Sequence, residues 1–281
     1  MNSFPLSAAE IQAFIDRAFA EDIADGDITC AAVIPEDAML TASMNARENM
    51  VLAGLPLMAP IFTRLDADCK LEFKANDGDR LASGECILRI SGSARALLSA
   101  ERTALNILQH LSGIASLTRN YADRIEGTGA RLLDTRKTIP GLRKLAKYAA
   151  RMGGAQNHRM GLFDAVMIKD NHIAVAGSVT IAIGAARAAG HTQIQVECDT
   201  LDQVEDAVGA SATSLLLDNM PPPVLTQALG IVAGRIPCEA SGGVTLETIR
   251  SIAQTGVDYI SVGRLTQSAR AVDIGLDYQT E

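Results

Sequence analysis

In residues 194–218, IQVECDTLDQVEDAVGASATSLLLD, two short apolar runs flank a segment with helical periodicity. The runs, IQVEC (194–198) and SLLLD (214–218), have strand length, and each carries a carboxylate at or near its end. Strand, helix and strand in that order make the unit of a parallel sheet, because parallel neighbours need a crossover. The unit repeats outward in both directions. RLLDT (131–135) and DAVMIK (164–169) precede it, and IPCEA (236–240) and DYISVG (258–263) follow it. Intervals such as GLRKLAKYAARMGG (141–154) and TLETIRSIAQTG (245–256) keep helical spacing and end in glycine. Six such runs predict an α/β barrel or a doubly wound sheet, and periodicity leaves both open.

Upstream the pattern changes. Residues 7–22 predict a helix, with Ser7 as N-cap and Glu10 completing a capping box. From Ile28 to about Ile90, apolar stretches broken by turns predict strands of a small, mostly antiparallel sheet. Examples are MLTASMNARENMVLAG (39–54), CKLEFKANDGDRLASGECILRI (69–90) and the turn Asn76-Asp77-Gly78-Asp79. Between Ala94 and Glu126 the spacing of Leu97, Leu98, Ala104, Leu105, Leu108 and Leu111 predicts a helix, with Gly113 as its break.

Bulk properties exclude several classes. Apolar residues make up 48% of the 281, enough for a substantial core and against disorder. The formal charge of −8 argues against a nucleic-acid binder working by general attraction, yet a cationic cleft can coexist with an acidic exterior. Cys30, Cys69, Cys86, Cys198 and Cys238 are widely spaced, form no CxxC pair and no zinc spacing, and read as reduced thiols. The N-terminus does not resemble a signal peptide, and no apolar run reaches membrane-spanning length, so a soluble cytoplasmic protein is expected.

The six runs end in polar groups: Thr135-Arg136-Lys137, Lys169-Asp170-Asn171-His172, Glu197, Asp218-Asn219, Ser241-Gly242-Gly243 and Gly263-Arg264. In a parallel barrel all strand C-termini open on one face, where active sites are built. Arg136, Lys137, His158, Arg159 and Lys169 then predict a dense cationic patch, which repels itself without a polyanion. Ser241-Gly242-Gly243 ahead of Thr245 and a helix, with Gly263 after the last strand, predicts a phosphate cradle. Glu197 and Asp218 beside it suit Mg²⁺ held through water, ribose hydroxyls or a developing cation. Spacing alone equally allows structural salt bridges with Lys and Arg.

The segments EDIADGDIT (21–29), SAERTALNILQHLSGIAS (99–116), LLDTRKTIPGLR (132–143), NHRMGLFDAVMIKDNHI (157–173), LLLDNM (215–220), EASGGVTLETI (239–249) and GVDYISVGRLT (256–266) closely resemble the quinolinate phosphoribosyltransferase family. The similarity covers nearly the whole chain, and DTRKT with NHRMGL and IKDNH is a specific combination. The resemblance implies an α/β fold: an N-terminal α/β sandwich-like domain, residues 1–110, and an atypical six-stranded parallel α/β barrel, residues 111–281. A tail from about 266 to 281 is expected to pack back toward the first domain. It also implies a homodimer or assembly of dimers, with shared active sites and with Mg²⁺, quinolinate and phosphoribosyl pyrophosphate as ligands; nucleic acid and membrane are not expected partners.

Residue by residue, Arg102 matches a side chain donated across the interface to the quinolinate carboxylates. Arg136, His158, Arg159 and Lys169 match positions around quinolinate. Lys137, Glu197 and Asp218 match positions facing phosphoribosyl pyrophosphate and Mg²⁺, with these three carrying catalysis. Ser241, Gly242 and Gly263 match positions at the ribosyl phosphate. By this resemblance the reaction yields nicotinate mononucleotide, carbon dioxide and pyrophosphate, a step of de novo NAD biosynthesis. Gln195 stands where many members have Glu, Gln267 where many bacterial members have His, and Arg264 where a small residue is usual. Rivals are a nicotinate or nicotinamide phosphoribosyltransferase, which needs fewer cations, the molybdate-operon paralogue, which alters the intact IKDNH region, and a silent scaffold, which would lose a carboxylate or the Arg136-Lys137 pair. Taken alone, Arg102 reads as a surface partner of Glu101 or Asp123.

Overall fold

The computed structural model describes residues 3–278. The chain forms two compact units: Met1–Leu117 with Pro140–Gly153 and Ser268–Glu281, and Thr118–Ile139 with Gly154–Gln267. Residues 1 and 2 of the expected first domain, and 279–281 of the expected tail, lie outside the described residues.

In the first unit, helix α1 (Ala8–Asp22) starts at Ser7, whose hydroxyl accepts from the Glu10 amide while the Glu10 carboxylate accepts from the Ser7 amide. Helix α2 (Ile28–Val33) follows, then strands β1 (Met39–Ala46) and β2 (Met50–Val51), helix α3 (Met58–Thr63), and strands β3 (Lys70–Phe73), β4 (Arg80–Leu81) and β5 (Cys86–Ser93). The strand Ile274–Tyr278 pairs antiparallel with β1, which pairs with β5, and β5 with β3; β2 and β4 pair separately.

Two parts of the stretch expected to be strand are helical. Asp27 accepts from the Cys30 amide at 2.9 Å, and this cap turns the β-branched ITCAAV segment into α2. In α3, Met58, Ile61 and Phe62 are buried together at the three- and four-residue spacing of a helix face.

Helix α4 (Ala94–Arg124) also runs through the expected break at Gly113. A Cβ at Gly113 would stand 2.1 Å from the Arg270 carbonyl oxygen. Glycine here serves close approach of the 270–271 backbone, not helix termination. Helix α5 (Arg143–Met152), although it follows the first strand of the parallel sheet, belongs to the first unit. Its Tyr148 hydroxyl donates to half-buried Asp77 at 2.7 Å.

The second unit holds six parallel strands: β6 (Arg131–Leu133), β7 (Val166–Ile168), β8 (Ile194–Cys198), β9 (Ser214–Asp218), β10 (Cys238–Ser241) and β11 (Tyr259–Ser261). Their spatial order is β7-β8-β9-β10-β11-β6. The first strand therefore bonds to the last while the others follow sequence order. That is the cyclic order of a barrel with one unpaired seam, between β6 and β7. Along the seam, Gln156 bridges Leu133 in parallel, and its amide donates to the Leu132 carbonyl at 2.8 Å. Outside lie α6 (Asp170–Ala176), α7 (Val179–Ala188), α8 (Leu201–Gly209), α9 (Pro222–Val232) and α10 (Ile249–Ala253), each packed on the next through this series. A short helix, α11 (Arg264–Gln267), follows β11. The middle strands are buried on both faces, which explains why their sequences are continuous apolar runs.

Candidate active site

The expected residues of the second unit stand where its strands end. Arg136 and Lys137 follow β6, Lys169 follows β7, Glu197 is the penultimate residue of β8, Asp218 closes β9, Ser241 closes β10, and Gly263 lies just beyond β11. His158 and Arg159 lie beside the seam, with one residue, Asn157, between them and Gln156.

The cationic side is built around Asp134, which is fully buried. Its carboxylate accepts from Asn157 Nδ2 at 2.6 Å and from the His158 amide at 2.8 Å, tying the NHR segment to the end of β6. Asp164 accepts from the Met160 and Gly161 amides at 2.6 and 3.2 Å, which shapes the following loop. Burial lowers the Arg159 pKa, and the neighbouring Arg136 guanidinium lowers it further, against the opposing pull of Asp164 and Glu197. Arg136 Nε is buried without a hydrogen-bond partner among the described residues. Two guanidinium groups held together at partial burial are destabilising alone and become favourable beside an anion. Lys169 Nζ pairs with Glu197, which is only 8% exposed, while the Lys169 amide donates to His172 Nδ1 at 2.9 Å. His172 thus caps the turn into α6.

At the opposite side, Ser241 and Asp218 are register partners on adjacent strands. Asn219 has a left-handed φ of 54°, and its amide donates to the Ser241 carbonyl at 2.8 Å. Gly242 and Gly243 are consecutive left-handed residues, with φ of 88° and 62°. A Cβ on Gly242 would fall 2.2 Å from Asn219 Oδ1 and 2.8 Å from its backbone nitrogen. Gly243 faces open space. The following helix begins only at Ile249, so the amides available for an anion belong to the glycine turn and not to a helix N-terminus. Lys137 is fixed from both ends of its backbone: its amide donates to Thr135 Oγ1 at 3.1 Å and its carbonyl accepts from Thr266 Oγ1 at 2.7 Å.

The model of the quinolinate phosphoribosyl transferase C-terminal domain matches residues 114–277, and that of the N-terminal domain matches residues 27–112. The chain belongs to the quinolinate phosphoribosyltransferase family. It is 42% identical over 270 residues to the probable nicotinate-nucleotide pyrophosphorylase [carboxylating] of Bacillus subtilis, covering 95% of this chain and 93% of that one. The nicotinate-nucleotide pyrophosphorylase [carboxylating] of Mycobacterium leprae is 44% identical over 270 residues, covering 94% and 95%. Among solved structures, NadC from Streptococcus pyogenes superposes with a TM-score of 0.93 at 41% identity, covering 99% of this chain and 100% of that one.

Arg102 is the expected site residue that lies in the first unit. It is exposed on α4 and pairs with neither Glu101 nor Asp123: Glu101 accepts from the Tyr278 hydroxyl, and Asp123 pairs with Arg119 at 2.9 Å. Three further residues of the second unit support the site without having been expected as site residues. Asp134 organises the cationic segment, Glu239 meets His158 inside the barrel, and Gln195 meets Glu239. His158 Nε2 lies 3.1 Å from Glu239 Oε2, which also accepts from Gln195 Nε2 at 2.8 Å. The available signal was a carboxylate inside an apolar run, as in RLLDT and IPCEA, since a buried charge needs dedicated partners.

Proposed function

We propose that Arg136, Arg159 and Lys169 grip quinolinate, with His158 in the wall beside them, while Lys137, Glu197, Asp218, Ser241, Gly242 and Gly263 hold 5-phosphoribosyl 1-pyrophosphate. The two are joined with decarboxylation, giving nicotinate mononucleotide, the entry of quinolinate into de novo NAD synthesis. The observation that carries this assignment is the crowding of Arg159 against Arg136 at the strand ends, which calls for a dianion. A monocarboxylate leaves one guanidinium uncompensated.

Chemically, the pyridine nitrogen forms a bond to the anomeric carbon as the bond to pyrophosphate breaks and pyrophosphate leaves with the electron pair. Positive charge grows on the ribose ring during this step, and the Glu197 and Asp218 carboxylates stabilise it. Lys137 neutralises the departing phosphates. The carboxylate clamps hold the nitrogen in line, so positioning does much of the work without a covalent enzyme intermediate. The resulting pyridinium then accepts the electrons released as the bond to the 2-carboxyl group breaks, carbon dioxide departs, and that carbon takes a proton.

Among the described residues no group of three or more His, Cys, Asp or Glu side chains is arranged to hold a metal ion. Mg²⁺ keeps several waters and binds through one or two carboxylates plus substrate phosphates. Glu197 and Asp218 are the oxygen donors that would hold it, through water, and when bound it supplies charge neutralisation to the pyrophosphate. We further assign the protein to a homodimer or an assembly of dimers, in which Arg102 of one protomer completes the partner's site, and to the cytoplasm. No helix of the described residues is long and apolar enough to cross a membrane.

Incubation with quinolinate, phosphoribosyl pyrophosphate and Mg²⁺ tests the assignment. Equal release of carbon dioxide and nicotinate mononucleotide is expected, and nicotinate in place of quinolinate should give no product. Turnover of nicotinate, or none with quinolinate from folded protein, overturns it.

A further inference from the structure

His158 stands among cations, yet both its ring nitrogens are occupied from within the protein. Nδ1 accepts a hydrogen bond from the Arg159 backbone amide at 2.9 Å. A nitrogen that accepts cannot carry a proton, so the proton of the ring resides on Nε2. Nε2 faces Glu239 Oε2 at 3.1 Å, and a carboxylate there accepts it. Glu239 is 2% exposed, on β10 inside the barrel. Gln195 on β8 donates to the same oxygen at 2.8 Å. Burial works to raise the Glu239 carboxyl, hydrogen bonds from His158, Ser261 and Gln195 oppose it, and the group lies below its usual range. The acceptor is therefore an anion at neutral pH, and its contacts from β8, β11 and the seam are all hydrogen-bond donors.

We propose that His158 is a neutral strut, not a cationic ligand of the substrate: Glu239 and Gln195 fix its Nε2–H tautomer, and His158 in turn fixes the backbone of Arg159. On this account Glu239 and Gln195 are positioning residues for the Arg159 guanidinium. The account rests on the reading of Arg159 as a carboxylate clamp only for its effect on binding; the tautomer follows from the contacts alone. A protonated His158 would turn Nδ1–H against the Arg159 N–H, breaking the bond that sets the loop. The cationic pocket thus keeps a rigid imidazole without a further positive charge, which lessens repulsion on Arg136 and Arg159 before substrate enters.

The experiment is nitrogen NMR of protein labelled at its four histidines, with the His158 signals assigned by their loss in His158→Asn. At pH 7 the free protein should show His158 protonated on Nε2 only. The pattern should persist when benzene-1,2-dicarboxylate, quinolinate without the ring nitrogen, is added to saturation. A doubly protonated ring, or an Nδ1–H tautomer, in either sample overturns the proposal. If the dicarboxylate fails to bind, the clamp reading fails, while the free spectrum still decides the tautomer. Kinetics supply a second readout. Glu239→Ala should raise the quinolinate KM about ten-fold and leave the phosphoribosyl pyrophosphate KM within about two-fold. Glu239→Gln, whose amide oxygen accepts the same proton, should recover most of that loss. Equal rises in both KM values, or a Gln variant no better than Ala, would count against the strut. Should the Ala variant fail to fold, the Gln variant and the wild-type spectrum carry the decision.

Discussion

Lys137 passes directly over Gly263: a Cβ at position 263 would stand 2.9 Å from Lys137 Cδ and 3.5 Å from its ammonium nitrogen. The two residues follow β6 and β11, which are neighbours in the barrel, so the last strand leaves the space through which the lysine of the first strand extends. Gly263→Ala should push the flexible end of Lys137 aside without disturbing the backbone. We expect the melting temperature to hold within a few degrees while kcat/KM for phosphoribosyl pyrophosphate falls about ten-fold, or ~1.4 kcal/mol. A variant with unaltered kinetics would show that the lysine does not need that path.

The paired guanidinium groups of Arg136 and Arg159 make the empty pocket a source of instability. Quinolinate alone, without the second substrate, should therefore stabilise the fold. At one hundred times its dissociation constant the expected gain is about 2.7 kcal/mol, seen as a rise of several degrees in melting temperature. Nicotinate at equal concentration should give a much smaller rise, and equal shifts would remove the case for dicarboxylate selection.

Sharing of sites between protomers has a simple arithmetic. Arg102→Ala and Lys137→Ala should each be nearly inactive. After subunit exchange, half the dimers contain one of each, and one of their two sites has both residues. Activity should return to about a quarter of the wild-type value. No return after exchange has been verified by mass would place Arg102 outside the site.

Acid should weaken the fold partly through Glu239. Because its hydrogen bonds hold the folded carboxyl below its unfolded value, its contribution is complete above the unfolded pKa of about 4.3 and fades as pH falls through the lower folded value. Urea midpoints measured from pH 7 to 3 should decline less steeply on the acid side in Glu239→Gln than in wild type. Parallel curves would mean that the carboxylate is not held low.

The six barrel strands were legible because burial on both faces leaves IQVEC and SLLLD almost wholly apolar, and because strand ends must turn polar on surfacing. Helix α2 was hidden by its composition: ITCAAV has strand propensity, and a single cap at Asp27 decides otherwise. Gly113 misled for a different reason. Whether glycine ends a helix or admits a passing backbone depends on Arg270, which local spacing does not reveal. The same limit applies to the site. Motifs bring His158 next to Arg159, but the direction of the imidazole is set by Glu239 and Gln195 from other strands. Local sequence locates charged groups at a rim; only tertiary pairing says which of them face inward.

The antiparallel match of Ile274–Tyr278 with β1, from Ala42 opposite Tyr278 to Ala46 opposite Ile274, has a consequence for biosynthesis. A ribosome releases β1 early, yet the neighbour that covers its outer side emerges only after the whole barrel has been translated. Through that interval β1 offers unsatisfied amides and carbonyls to any passing strand, a hazard met in cells by chaperone capture. Premature termination before Ile274 should therefore produce aggregation-prone nascent chains even though every catalytic side chain assigned here has already been made.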